Sequence, residues 1–378
     1  MLRPKYVVYI ITSKSKNISI ERRYSDFDNL RRELIKLYPG YIIPPIPKKR
    51  TGKGFENLFL QKRKTTLQSF LNELVVHPLL KSSELVIAFL TASNKDWEVK
   101  AKNSMKIVPP KDISHYRTIE GSAKIELAKD VEQYCDKVAS LNTTLEDSYR
   151  NLKRLNKTIG NDFERLSESI LKAGCTYAKL SETYSELNCK DQSMLFMFMG
   201  DLHKKLGETY KTLKENFSNN FNRFYSFYYR ESQALGELLD MRKAAFETFN
   251  LNEKKLYKKK ETLFDQKNVS KWKLDPTLTV TMDNLLKNKN LAFSEMLPDE
   301  SLDVLKLKMF YSFYTNKCVE EYVRLISKNK PVIKEYFETV PSICIEREMC
   351  LQRIWMELFK KLKGLSLGSE DIQTLIGK

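Results

Sequence analysis

Arg22-Arg23-Tyr24-Ser25-Asp26-Phe27, followed by Pro44-Pro45-Ile46-Pro47 and Lys48-Lys49-Arg50, is the stretch around which this 378-residue chain is organised. An arginine beside an aromatic ring, with further cations a short loop away, is the set that a phosphorylated sugar needs. The guanidinium fork meets phosphate through paired N–H donors, and the ring offers an apolar face. The same stretch joins two kinds of secondary structure. Upstream, Lys5 to Ser13 and Ile18 to Arg23 read as two short strands around the polar turn Lys14 to Asn17. Downstream, Phe27, Leu30, Leu34 and Leu37 recur at the spacing of one helix face over Asp26 to Tyr38, and Pro39-Gly40 stops the helix. Phe59 to Val76 predicts a second helix with Leu67, Phe70, Leu71 and Leu74 inward, and Glu84 to Leu90 a third. The result is a small α+β domain over residues 1–95.

Proline marks where that domain gives way to another. Six of the twelve prolines fall before Ser82, two form Pro109-Pro110, and none lies between Lys111 and Asp275. A proline-free span of this length is what very long helices demand, because an interior proline costs about 3 kcal/mol. From Leu127 and Val131 through Tyr134, Val138, Leu141, Leu145, Tyr149 and Leu152 to Ile170, apolar residues recur mostly every three or four positions. That is a long-helix seam. Asn188 to Gln192 interrupts it, and a second seam runs through Leu195, Leu202, Phe217, Phe224 and Leu238 to Phe249. A third helical region follows Pro276, is broken by Pro298, and resumes from Leu302 to Phe337. Stripes this long cannot be buried by one helix, so an antiparallel bundle over 121–338 is expected, paired with another copy or a relative. Residues 96–120 read as a linker. Residues 339–378 read as an extension whose segment Leu351 to Leu362 is a basic amphipathic helix.

The formal charge of +17 points to a polyanionic partner. The first hundred residues carry 19 Lys and Arg against 9 Asp and Glu, so most of the excess sits at the amino-terminal end. A second concentration, Lys254, Lys255, Lys258, Lys259 and Lys260, closes the second seam and is a candidate contact for anionic lipid. The longest apolar runs fall far short of a membrane span, so membrane contact is expected to be peripheral. The six cysteines form no CxxC pair, which removes a zinc site and a disulfide framework and leaves free thiols of a cytosolic protein. There is no phosphate-binding glycine loop, nucleophile constellation or paired carboxylate set, and no cofactor is implied. An enzyme is not expected, and no nucleic-acid recognition motif accompanies the charge.

The first domain resembles a PX (phox-homology) module. The resemblance rests on Arg22 to Phe27, the Pro44 to Pro47 loop with Lys49, and Leu60-Gln61-Lys62-Arg63-Lys64 leading to Leu67 and Phe70. The three-helix region resembles a BAR domain on pattern alone, and together they are similar to a sorting nexin of the PX-BAR class. The resemblance implies that Arg23 grips a 3-phosphate, Tyr24 stacks on the inositol ring, Lys49 reaches the 1-phosphate and Arg63 hydrogen-bonds the free ring hydroxyls. The implied ligand is phosphatidylinositol 3-phosphate on early or recycling endosomes. The implied assembly is a homodimer, or a heterodimer with another sorting nexin, that senses or generates curvature in protein transport or autophagy. One departure is that the chain starts almost on the strand at Lys5, so the sheet is expected to lack the family's first strand. The alternative is a PX-targeted coiled-coil scaffold or tether that does not bend membrane.

Overall fold

The computed structural model describes residues 7–13, 18–49, 57–106, 130–216, 220–272 and 281–364. The expected hairpin is present: β1 (Val8–Ser13) and β2 (Ile18–Arg23) pair antiparallel, from Val8 opposite Arg23 to Ser13 opposite Ile18. The polar turn at 14–17 lies outside the described residues, as do residues 1–6, where a further edge strand would be sought. Helix α1 (Tyr24–Leu37) buries Phe27, Leu30 and Leu34, the face predicted from their spacing. It ends where Gly40 takes a positive φ of 86°, a conformation open to glycine. Helices α2 (Asn57–Val76) and α3 (Glu84–Thr91) close over the hairpin, with a short 3-10 turn at Leu80–Ser82 between them.

The core of this mixed domain is centred on Phe27. Its ring meets Tyr9, Phe70 and Phe89 edge-on, with the Phe89 centroid 4.9 Å away. The stretch from Asp96, expected as linker, departs from that reading. Asn94–Lys106 is helix α4, and Trp97 is buried against Phe89 at 5.0 Å while Ala101 also enters the core. Trp97, Ala101 and Ser104, four and three apart on one face, are buried and tie this helix to the domain, although its other positions are mostly charged or polar. Residues 107–129, with Pro109-Pro110 and Leu127, lie outside the described residues.

The long helices are α5 (Val131–Glu186), α6 (Lys190–Asn216), α7 (Asn222–Leu263) and the last helix, Pro298–Lys363. Between them lie α8 (Gln266–Val269), α9 (Met282–Lys287) and α10 (Lys289–Met296), so the last is α11. The second seam is helical on both sides of 217–219, which are outside the described residues together with Phe217. Pro298 sits at the start of α11, where its missing N–H costs nothing. The helix runs through Pro331, within the span expected to Phe337, but Pro341 differs from expectation: the helix continues through it to Lys363, so the Leu351 to Leu362 segment is its last stretch and not a separate helix. Each proline removes one helical hydrogen bond, and side-chain packing on either side offsets the loss.

The chain divides into two compact units, one of Met1–Thr144 with Arg230–Leu325 and one of Leu145–Tyr229 with Ile326–Lys378. In the first, α5, α7 and α11 share a core of Cys135, Val138, Leu235, Leu238, Tyr314 and Leu325. A buried polar network crosses it. Arg242 of α7 donates to Asp136 at 3.0 Å, to Thr315 at 3.3 Å and to the Tyr311 hydroxyl at 3.3 Å, and Tyr311 donates to Glu132 at 2.6 Å. In the second unit, Phe224 and Tyr336 stack at 3.5 Å. There α5 and α6 meet so closely that a Cβ on Gly207 would stand 2.6 Å from Leu171, and the Ser167 hydroxyl donates to the Gly207 carbonyl at 2.7 Å. The end of α11 meets α6 through Glu357 and Lys205 at 2.7 Å, while Trp355, Phe359 and Leu362 of its basic amphipathic stretch remain exposed.

The mixed domain is fastened to the helices of its own unit. Gly40 lies against Phe313 and Lys317. The Ile42 side chain joins the helical core, and its backbone N–H donates to buried Glu321 of α11 at 2.9 Å. Arg324 donates twice more to Glu321, at 2.7 and 2.8 Å. The Nδ1 atom of His77 accepts from the Leu79 and Leu80 amides, which leaves its Nε2 facing Glu321 at 3.7 Å. Burial alone would raise the Glu321 pKa, but the donors from His77, Arg324 and Ile42 outweigh it and lower it from 4.5 to about 2. Because the folded value is the lower one, the stabilisation is complete above the ordinary carboxylate range and is lost as pH falls toward about 2. Its size is on the order of 3 kcal/mol. Denaturant unfolding across that window is expected to show stability falling with pH in the native chain, with a shallower slope in Glu321→Gln. Equal slopes would remove Glu321 from this role.

Candidate functional site

The end of β2 turns directly into α1, and the strand's period of two decides the fate of its paired arginines. Arg22 points inward with Ile18 and Ile20, and Arg23 points out. Arg22 is 1% exposed, yet each of its five N–H donors has a place to go. Nε donates to the Phe89 carbonyl at 3.0 Å, Nη1 to the Glu21 carbonyl and the Asn94 side chain at 2.9 Å, and Nη2 to the Ala92 carbonyl at 2.7 Å and the Ala88 carbonyl at 3.4 Å. Three of those carbonyls belong to the last turn of α3 and its C-cap, where the helix dipole favours a cation. The guanidinium also lies over the Phe89 and Trp97 rings at 5.3 and 5.5 Å. Burial lowers its pKa. Arg22 is therefore a structural residue, and of the pair only Arg23 faces solvent.

Around Arg23 the structure brings the predicted residues together. Its backbone N–H donates to the Asp26 carboxylate at 2.7 Å, which caps α1 and fixes the start of the helix. Tyr24, the next residue, donates its hydroxyl to the Pro47 carbonyl at 2.5 Å and so ties α1 to the proline loop. Arg63 of α2 lies behind that ring. Its guanidinium stacks 4.4 Å from the Tyr24 centroid and 4.5 Å from Phe59, and Nη2 donates to the Lys48 carbonyl at 3.4 Å. Burial raises the pKa of the Tyr24 and Tyr9 hydroxyls, which keeps both phenols neutral. The site is thus an exposed arginine, a ring braced from behind by a buried guanidinium, and a loop that carries Lys48 and Lys49 outward. Arg50 lies outside the described residues.

The lysines at the end of α7 divide in two. Lys254, Lys255 and Lys258 are exposed, whereas Lys259 pairs with Glu300 at 2.8 Å and Lys260 lies 4.9 Å over the Phe293 ring. Among the described residues no group of three or more His, Cys, Asp or Glu is placed to hold a metal ion, and no helix is long and apolar enough to cross a membrane. Arg31 was not signalled by the sequence. It donates to the Pro44 carbonyl at 2.9 Å and reaches Glu237 of α7 at 2.5 Å. No local pattern separates it from the basic residues beside it.

Residues 10–93 match the family model of the PX domain. They are a PX domain. Sorting nexin MVP1 of Saccharomyces cerevisiae is 46% identical over 81 residues, 21% of this chain and 16% of that protein. Sorting nexin mvp1 of Schizosaccharomyces pombe is 28% identical over 203 residues, 49% of this chain and 30% of that protein. The matched part is thus less than a third of either curated relative. A solved structure described as the cryo-EM structure of the SNX-BAR Mvp1 tetramer superposes with a TM-score of 0.71 at 18% identity, covering 95% of this chain and 96% of that one. At that identity the likeness shows the fold: a PX domain followed by BAR-type long helices.

The two arginines of β2 are expected to separate experimentally. Arg22→Ala leaves the α3 carbonyls buried without a donor and is expected to cost about 3 kcal/mol in chemical denaturation. Arg23→Ala in the PX domain is expected to cost less than about 1 kcal/mol. A reversed order would contradict the strand register on which the site depends.

Proposed function

We propose that this chain is a non-catalytic peripheral membrane protein whose PX domain binds phosphatidylinositol 3-phosphate. The observation that carries the reading is the assembly of Arg23, Tyr24, Lys49 and Arg63 at one end of the PX domain. Arg23 directly precedes Tyr24, Lys49 follows two residues after the Pro47 carbonyl that the Tyr24 hydroxyl bonds, and the Arg63 guanidinium stacks on the Tyr24 ring and donates to the Lys48 carbonyl. In this reading Arg23 takes the 3-phosphate, Lys49 the 1-phosphate and Tyr24 the apolar ring face, and Arg63 supplies donors for ring hydroxyls and holds Tyr24 in place. The exposed lysines at the end of α7, Lys254, Lys255 and Lys258, add a second contact with anionic lipid, each worth about 1 kcal/mol near the surface.

The helices add valence. Leu141, Leu145, Leu152, Leu155, Ile159 and Leu166 of α5 remain exposed in the single chain, a stripe that pairing with a second chain would cover. A homodimer, or a heterodimer with a related chain, doubles the lipid sites and raises avidity without new contacts to lipid. The similarity to sorting nexins supports a place on endosomal membranes, in sorting and transport, where the helical domain senses or generates curvature.

Sedimentation with vesicles tests the pocket. Wild-type chain is expected to pellet with vesicles containing phosphatidylinositol 3-phosphate in preference to those with unphosphorylated phosphatidylinositol. Arg23→Ala is expected to weaken the preferred binding about tenfold or more, the worth of one charge-assisted phosphate contact. Binding that survives Arg23→Ala unchanged would show that this is not the pocket.

A further inference from the structure

The segment from Gly40 to Lys49 belongs to two cores at once. Tyr41 and Ile43 are buried in the PX core, whereas Ile42 between them is buried in the core of α5, α7 and α11. Its first half is held by residues of the helices: Glu321 takes the Ile42 amide, and Glu237 of α7 meets Arg31, whose Nε grips the Pro44 carbonyl. Its second half is held by the pocket: Tyr24 takes the Pro47 carbonyl and Arg63 the Lys48 carbonyl. Pro44, Pro45 and Pro47 stiffen what lies between, since each fixes its own φ and restricts the residue before it.

We propose that Glu237 and Glu321 are positioning residues for headgroup binding. Neither belongs to the pocket, and both set the course of the strap that delivers Lys48 and Lys49 to it. The proposal rests on the headgroup reading given above. Its physical basis is a population argument. A loop that spends part of its time off the competent course lowers apparent affinity by that fraction, and fastening its near end to the helical core removes the loss. PX affinity for lipid is then a property of the PX domain together with the helices it is docked on. Arg31 links the two sets of contacts, because one guanidinium holds both the loop carbonyl and the α7 carboxylate.

The test uses the full chain and two readouts. Amide hydrogen exchange without lipid reports the strap, and pelleting with phosphatidylcholine vesicles, with and without phosphatidylinositol 3-phosphate, reports binding. Glu237 is half exposed, so its substitution leaves the fold intact. Glu237→Ala is expected to speed exchange at Ile46, Lys48 and Lys49 and to weaken 3-phosphate-dependent binding about three- to tenfold, with the melting temperature unchanged. Glu237→Gln, which still accepts from Arg31, is expected to fall between the two, and Glu321→Gln is expected to act in the same direction through Ile42. Unchanged exchange along the strap overturns the proposal, as does faster exchange with unaltered lipid affinity. A wild-type chain that binds both vesicle types alike overturns the headgroup reading, and the positioning role falls with it.

Discussion

The Ile42 amide and the Glu321 carboxylate are 279 positions apart in sequence and meet at 2.9 Å in a site that both share with His77 and Arg324. A carboxylate buried this deeply is costly unless its lone pairs are filled, and here donors from the PX domain and from its own helix fill them. Much else follows from that requirement. Ile42 has to enter the helical core, so Tyr41 and Ile43 face the other way into the PX core. Gly40 has to turn tightly against α11 to bring the segment there. The PX domain is therefore built into the helical unit that it docks on.

A second buried charge organises the end of the PX domain where Arg23 and Tyr24 lie. Arg22 saturates its five donors on the end of α3, on Asn94 and on the Glu21 carbonyl, and in doing so joins β2, α3 and α4. With Arg22 locked inward, strand geometry obliges Arg23 to face solvent and α1 to begin at Tyr24. The ring of Tyr24 is then fixed from two sides, by its hydroxyl on Pro47 and by the Arg63 guanidinium behind it. A pocket pre-formed in this way spends little of its binding energy on ordering its own side chains. The exposed cations complete it because they stand on rigid elements or on a proline-stiffened loop.

Local chemistry made much of this legible. Phe27, Leu30 and Leu34 announce a helix face by spacing, Pro39-Gly40 announces its end, and the proline-free span announces long helices. Tyr24, Lys49 and Arg63 were recognisable as a set, and the structure links them through Pro47 and Lys48. What was not legible depends on distant contacts. Trp97 and Ala101 are the buried apolar positions of a largely charged stretch in which Val99 and Met105 stay exposed, and nothing local marks the Phe89 ring that Trp97 packs on. Pro341 carries a strong local signal for a helix end, yet α11 runs through it to Lys363, with packing such as Tyr336 on Phe224 to hold the helix on its near side. Arg22 and Arg23 look alike as a pair, and only the alternation of β2 separates the buried residue from the exposed one. Glu237, Arg31 and Glu321 sit among many charged residues, and nothing local marks their partners.

In the proposed reading, this pocket distinguishes the position of phosphate on an inositol ring. Isothermal titration of the full chain with the soluble headgroup inositol 1,3-bisphosphate, set against inositol 1,4-bisphosphate, tests it without membrane, curvature or avidity. Saturable binding of the 1,3-isomer at one site per chain, with the 1,4-isomer about tenfold weaker or more, is the predicted result. Equal affinity for the two isomers would mean that Arg23 and Lys49 attract phosphate without reading its place, and would contradict the account.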